Sequence, residues 1–330
     1  MGGNLFKLGR LPRASYLALE ADLRAILDPW LGTHYRIPRY YGSKADFGDV
    51  DILVSAAGAP QGWESLRLEI IDRLGVTEYK FVNRVLSLNF RGFQTDFFIL
   101  PADEFVTTWQ FMCYNDLGNL LGKLFRRFGL KYGETGLSYV YRRPDSDHYQ
   151  RDLHLSGDMG RILDVLGLDL ATWEAGFPTL EAMFAWVVSS PYFTVAPFLE
   201  RKASTEKRVQ HRPTMEKFVA WLEKAGVDKR YAFEEDRSAY LPMIVAAFPE
   251  ADLPGQIAAE AARSRLVAEV QAKFSGKLVM EHYPELKGER LGRFIQQFKA
   301  GFVDFEVEVA AMSAEDVQLR LAEFWQTFVG

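Results

Sequence analysis

The sequence is expected to fold as an α+β protein, a mixed sheet with helices followed by a mainly α-helical C-terminal half. Three observations predict it. A β-branched run, Asp49-Val50-Asp51-Ile52-Leu53-Val54, follows a glycine-serine turn and reads as a strand. Three more strand-like runs crowd between residues 77 and 100, with links too short for parallel crossovers, so part of the sheet must be antiparallel. Beyond about residue 148 the alternation fades and apolar stripes at helical spacing take over.

Taken in order, Tyr16, Leu19, Leu23, Ile26 and Leu27 recur on one helical face, predicting a helix over 12–31 that Pro29 closes. After the Asp49 strand, Pro60 and Gly62 open a helix carrying Leu66, Leu68, Ile70, Ile71 and Leu74, and Gly75 ends it. Strands follow over 77–82 and 84–90. In the second, Leu86, Leu88 and Phe90 face one way and Ser87 and Asn89 the other. Residues 93–100 form an apolar strand with one charge, Asp96, in its middle. Leu117, Leu120, Leu121, Leu124, Phe125 and Phe128 make the stripe of a helix over 117–128. Pro144 to Asp147 reads as a hinge. Near the end, Leu291, Phe294, Ile295, Phe298 and Phe302 form one stripe. Val317, Leu321, Phe324, Trp325 and Phe328 form another, behind a capping signal at Ser313 and Asp316. These aromatics read as core. The expected division is an N-terminal helix over 1–35, a sheet domain over 36–146 and a helical domain over 147–330.

The chemistry is concentrated in three acids. Asp49 and Asp51 are one residue apart on a strand, so their carboxylates share a face and repel. A divalent cation between them relieves that repulsion, and Mg²⁺ is the usual partner of carboxylates that face phosphate. A carboxylate within an apolar strand, as at Asp96, is costly unless paired or bound to metal. Taken singly, the ordinary roles are a turn cap for Asp49, a solvated acid for Asp51 and an arginine partner for Asp96. Taken together behind Gly42-Ser43, they point to a two-metal site of the kind used for in-line phosphoryl transfer.

Several motifs carry a resemblance. Gly42-Ser43, then Gly48-Asp49-Val50-Asp51-Ile52-Leu53-Val54, then Asp96 on a later strand, resemble the palm of the polymerase-beta-type nucleotidyltransferase superfamily, closest to family X DNA polymerases. The likeness continues through Pro101 to Phe105, Gln110-Phe111 and Asn119, through Gly129 to Leu137, and through Ile162 to Leu168, covering about residues 36–170. The resemblance implies a nucleotidyltransferase palm over 36–146 and a thumb-like helical part after it. It implies two Mg²⁺ ions, with Mn²⁺ as the alternative, held by Asp49, Asp51 and Asp96 as catalytic residues. Gly42, Ser43, Lys44 and Gly48 would hold the triphosphate of a (d)NTP, and Phe111 and Asn119 the nucleoside. The acceptor implied is the 3′-hydroxyl of a DNA primer on its template, or an RNA 3′ end. Two departures stand out. The family's longer, arginine-bearing loop before the paired acids is here only Lys44-Ala45-Asp46-Phe47, so a phosphate-gripping arginine is missing and Lys44 either replaces it or does not. Met112-Cys113-Tyr114 replaces the family's threonine-glycine-serine, so sugar selection does not carry over. No room precedes the palm for the family's lyase domain, and no lyase activity is expected.

Composition sets bounds. The 330 residues are 48% hydrophobic and 25% charged, ordinary for a soluble globular protein. No apolar run is long enough for a membrane span or a signal peptide. The single cysteine, Cys113, excludes an intramolecular disulfide and a multi-cysteine zinc site. A cytoplasmic monomer, in a bacterium or a phage-infected cell, is the expectation. Net charge is −5, with 18 Lys+Arg against 17 Asp+Glu in residues 1–150 and 21 against 27 in the remainder. That argues against indiscriminate coating of nucleic acid. Local basic strips remain. Lys123, Arg126, Arg127 and Lys131 are candidates for nucleic-acid phosphate contacts. Arg201, Lys202, Lys207, Arg208, His211, Arg212 and Lys217 are either a backbone-steering strip or a polar connector. Leu286 to Gly292 faintly resembles the helix entry in the tail of CCA-adding and poly(A) polymerases, which supports an RNA-terminal transferase as the alternative; a tight turn into a helix explains the segment as well. A toxin-like nucleotidyltransferase modifying another acceptor is the third reading.

Overall fold

The computed structural model describes residues 5–58, 62–142, 149–199 and 213–328. They form two compact units, one running through Ala251 and the other starting at Asp252. In the first, a short strand β1 (Leu11–Pro12) leads into helix α1 (Arg13–Leu31), whose stripe of Tyr16, Leu19, Leu23, Leu27 and Leu31 is buried. Pro29 lies inside this helix and does not end it. Proline removes one backbone donor but keeps a helical φ, so the last turn tolerates it. Gly32, at φ 53°, makes the stop.

Strands β2 (Tyr35–Arg36), β3 (Asp46–Phe47) and β4 (Val50–Ser55) precede helix α2 (Trp63–Leu74). Then come β5 (Tyr79–Val82), β6 (Val85–Phe90) and β7 (Phe93–Leu100). Five strands make one sheet in the order β2-β4-β7-β6-β5. Only β4 and β7 run parallel; the other neighbours are antiparallel, as expected of a mixed sheet. Alternation then sorts the two faces. Val50, Ile52, Val54, Leu86, Leu88, Phe97 and Ile99 pack with the α1 stripe and with Leu66, Ile70 and Leu74 of α2 into the main core. On the opposite face, Leu53 and Leu100 pack with Phe105, and Phe98, Trp109 and Met112 close over them from helix α3 (Ala102–Met112) and β7. The acids lie on this second face, beside that apolar patch.

Helix α4 (Leu117–Phe125) continues as a 3-10 turn to Phe128, with all six predicted stripe residues buried. A hairpin follows, β8 (Leu130–Gly133) and β9 (Gly136–Arg142), joined by a third strand, β10 (Tyr149–Ser156). This strand lies inside the stretch expected to be mainly helical from 147 on, and the compact units divide after Ala251, not at the expected 147. The run Tyr-Gln-Arg-Asp-Leu-His-Leu-Ser is too polar to announce itself, and its pairing with β9 decides its conformation. Three short helices follow, α5 (Met159–Val165), α6 (Leu170–Ala175) and α7 (Leu180–Ser189), each N-capped by a side chain: Asp158, Asp169 and Thr179.

The second unit is helical among its described residues. Its core joins Val270, Phe274, Val279, Leu286, Phe294, Phe298, Val309, Val317 and Leu321, with Phe302, Phe324, Trp325 and Phe328 packed against them. The aromatic stripes are thus core, as expected. Ser313 and Asp316 form the complete capping box at the last helix. Leu286 to Gly292 is a tight turn, Gly288 at φ 53°, into the helix Gly288–Ala300. The expected hinge at 144–147, and all of the 201–217 basic strip except Lys217, lie outside the described residues. No described helix is long and apolar enough to cross a membrane.

Candidate metal centre

Asp51 and Asp96 stand directly opposite each other on the parallel pair β4 and β7. Residues in register point the same way, so one ladder step brings the two carboxylates to the same spot on the second face. Asp49, just ahead of β4, adds the third. One carboxylate oxygen from each of the three lies within 4.8 Å of the others. The sequence expectation that the three acids converge is therefore met.

What fixes Asp49 is an aromatic anchor two residues earlier. Phe47 is buried, stacked on Tyr16 at 3.6 Å between ring centroids and edge-on to Tyr40 at 4.9 Å. Gln94, on β7 two residues before Asp96, donates from Nε2 to Asp96 Oδ2 at 2.9 Å. Its amide oxygen accepts from the backbone N–H of Leu5 at 2.8 Å, which fixes the amide's orientation. Asp96 is 6% exposed, and its other oxygen, Oδ1, is buried with no hydrogen-bond partner.

The electrostatics follow. Burial, then the neighbouring charges of Asp49 and Asp96, push the Asp51 carboxyl well above the ordinary carboxylate range, and Lys44 offsets only part. Burial and then Asp96 push Asp49 up as well. Lys44 is itself pushed down, by burial first, with Asp49 and Asp51 opposing. Three carboxylates and an orphaned acceptor, with one half-buried lysine near them, leave negative charge uncompensated. An oxygen-only donor set of this kind suits a hard divalent cation. The residues present fit such an ion.

The glycine-serine turn departs from expectation. The amides of Gly42 and Ser43, expected to face phosphate, donate instead to the carbonyls of Phe177 and Pro178, both at 2.8 Å. Gly42 is a glycine for a steric reason: a Cβ there would lie 2.8 Å from the Pro178 oxygen. For an anion the turn therefore offers the exposed Ser43 side chain and Lys44, whose ammonium sits 4.3 Å above the Phe47 ring and 3.3 Å from Asn115 Oδ1. Gly48 remains beside the acids, with the Arg10 guanidinium against its Cα.

No protein-family profile matches the chain, and no curated protein matches it. The site has to be read from its own geometry.

The remaining predicted residues divide. Phe111 packs against Gly118, where a Cβ would come within 2.6 Å of it, and edge-on to Tyr132 at 5.3 Å, so it joins α3 to α4. Asn119 donates to Asp116 Oδ1 at 3.2 Å near the start of α4. Both have local structural partners. Of the four expected phosphate contacts, Lys123 donates to the Pro197 carbonyl at 2.7 Å and Arg127 stacks over Phe233 at 5.3 Å. Lys131 is paired with Asp152. Arg126 is exposed. Three of these four basic residues thus have a partner within the fold. Sequence reasoning missed Gln94, Arg10 and Asn115. Gln94 was legible in principle: two residues before Asp96, it had to share that acid's face. Arg10 and Asn115 come from distant segments and carry no local signal.

Proposed function

We propose that the protein is a metal-dependent nucleotidyltransferase that transfers a nucleotidyl group from a (d)NTP to a hydroxyl, in the manner of family X DNA polymerases. The observation that carries this reading is the convergence of Asp49, Asp51 and Asp96 on one sheet face, with Asp96 Oδ1 buried and unpartnered. The order of motifs around it, from Gly42-Ser43 to the β8–β9 hairpin, supports the same reading.

Asp49 and Asp51 would hold two Mg²⁺ ions, and Asp96 would share one of them. Bound there, such ions neutralise charge on the phosphates and lower the pKa of the acceptor hydroxyl. The chain's own residues supply position and a proton acceptor. Gln94 holds Asp96 through Oδ2, which leaves Oδ1 without a protein partner. The acceptor oxygen forms a bond to the α-phosphorus as the bond to the bridging oxygen breaks. The proton goes to Asp96 Oδ1, and pyrophosphate departs with the electron pair. Little covalent chemistry is asked of the protein, so positioning dominates. Lys44 and Ser43 would hold the phosphates.

A second reading concerns the acceptor. Lys123, Arg127 and Lys131 have partners inside the fold. The acceptor is a DNA primer or, in the second reading, an RNA 3′ end or the hydroxyl of another acceptor. The test is incorporation of labelled NTPs and dNTPs with Mg²⁺ in three settings: DNA primer with and without template, tRNA, and no nucleic acid. Label transfer in any arm that disappears in Asp96→Asn supports the nucleotidyltransferase reading. No transfer in any arm overturns it.

A further inference from the structure

The loop between Ser43 and Gly48 contains one cation, Lys44, whose charge is shared with Asp49 and Asp51. One lysine is little for a triphosphate. A second cation reaches the same place from the N-terminal segment. Leu11 pairs with Phe47 and Pro12 with Asp46, and the Arg13 N–H donates to the Ala45 carbonyl at 2.8 Å. The same antiparallel line brings Arg10 to Gly48. Its Nη1 lies 2.8 Å from where a Gly48 Cβ would be, so the guanidinium rests on the one residue of this stretch with no side chain to displace it. Its Nε donates to Asp46 Oδ1 at 2.8 Å. Its charge also reaches Asp49 and Lys44, favouring the ionised carboxylate and disfavouring the ammonium.

We propose that Arg10 is the residue that grips the terminal phosphates of the nucleoside triphosphate, its guanidinium exchanging Asp46 for them. The inference rests on the nucleotidyltransferase reading. The exchange is physically cheap. The Arg10 and Asp46 side chains are 61% and 54% exposed, and an ion pair that exposed contributes little stability. Arginine also meets phosphate in a bidentate, charge-assisted fork, which compensates the contact it leaves. Asp46 therefore parks the guanidinium beside the site when no substrate is present and competes with substrate for it. The short loop and the arginine on a distant segment are two halves of one arrangement: the cation that the loop does not carry is delivered by the strand paired to it.

The experiment is equilibrium binding of an α,β-methylene nucleoside triphosphate in Mg²⁺, with steady-state kinetics alongside. Arg10→Ala should weaken binding and raise KM about tenfold, with Arg10→Lys recovering part. Asp46→Asn should move the other way, tightening binding a few-fold, because it frees the guanidinium. Both variants lose the same ion pair, so a purely structural pair would shift melting temperature and affinity in the same direction for each. Opposite signs in affinity therefore support the phosphate role. Nucleoside monophosphate binding should be the same in all three proteins. Wild-type affinity in Arg10→Ala, or weakened binding in Asp46→Asn, overturns the role of Arg10 while leaving the nucleotidyltransferase reading intact. A wild-type protein that binds no triphosphate analogue overturns both.

Discussion

Gln94 and Asp96 stand two residues apart on one strand, and the hydrogen bond between them, 2.9 Å from Nε2 to Oδ2, leaves the other carboxylate oxygen buried and without a partner. A neutral amide here orients an acid without neutralising it. Truncation tests this division of labour. Gln94→Ala should lower kcat about tenfold, the scale of one lost charge-assisted hydrogen bond, and leave KM for the triphosphate nearly unchanged. An equal rise in KM would assign Gln94 to binding instead.

The acids themselves should behave as a unit. Asp49→Ala, Asp51→Ala and Asp96→Asn should each reduce nucleotide incorporation by about a thousandfold or more, since several kcal/mol of charge stabilisation would ride on the metals proposed to bind them. Circular dichroism should show the folded spectrum in all three. Combining two substitutions should add little to either alone.

A pH dependence follows from Asp51. Its folded-state pKa is raised, so in metal-free protein the folded state holds a proton that the unfolded state releases. Stability from this group is therefore lost as pH rises from the ordinary carboxylate value through the raised one. Asp51→Asn removes that loss. Without divalent ion, the variant's melting temperature should exceed that of wild type by an amount that grows as pH rises above about 4. A constant difference across pH would contradict the burial and repulsion assigned to this site.

Adding Mg²⁺ or Mn²⁺ should raise the wild-type melting temperature and release protons on binding, because the carboxyls must ionise to ligate. At an ion concentration about a hundredfold above the dissociation constant the gain is about 2.7 kcal/mol. Calorimetry in buffers of different ionisation enthalpy reads the proton count. Asp51→Asn should show neither effect at the same concentration.

Two glycines near the site should respond differently to a methyl group. Gly42→Ala meets backbone, the Pro178 oxygen, and should cost about 1–3 kcal/mol of stability. Gly48→Ala meets only the tip of Arg10, which can swing away. It should melt within about 0.5 kcal/mol of wild type and still bind the triphosphate more weakly.

The acids were legible because they break local rules: two charges on one face of a strand, and a third in the middle of an apolar one. Phe93–Leu100 and the α4 stripe read equally clearly, since their patterns match one period throughout. The third strand of the second sheet did not. Its residues are mostly polar, and only its ladder with β9 makes it a strand. Gly42 was misread because a glycine that lets backbone approach ligand and one that lets backbone approach backbone look identical in sequence. The partners of Lys123 and Arg127 were not legible for a similar reason: a basic residue on a helix shows its charge but not its partner. Pairing between distant segments, as between Arg10 and Gly48, leaves no trace in either.

Helix α1 contributes Tyr16, Leu19, Leu23, Leu27 and Leu31 to the core beneath the acid-bearing sheet, and Tyr16 is the ring on which Phe47 rests. It is therefore no detachable appendage. A recombinant fragment trimmed to begin at residue 36 would leave the sheet's underside bare to water and precipitate before any activity could be assayed. Dissection of this protein must keep its first helix.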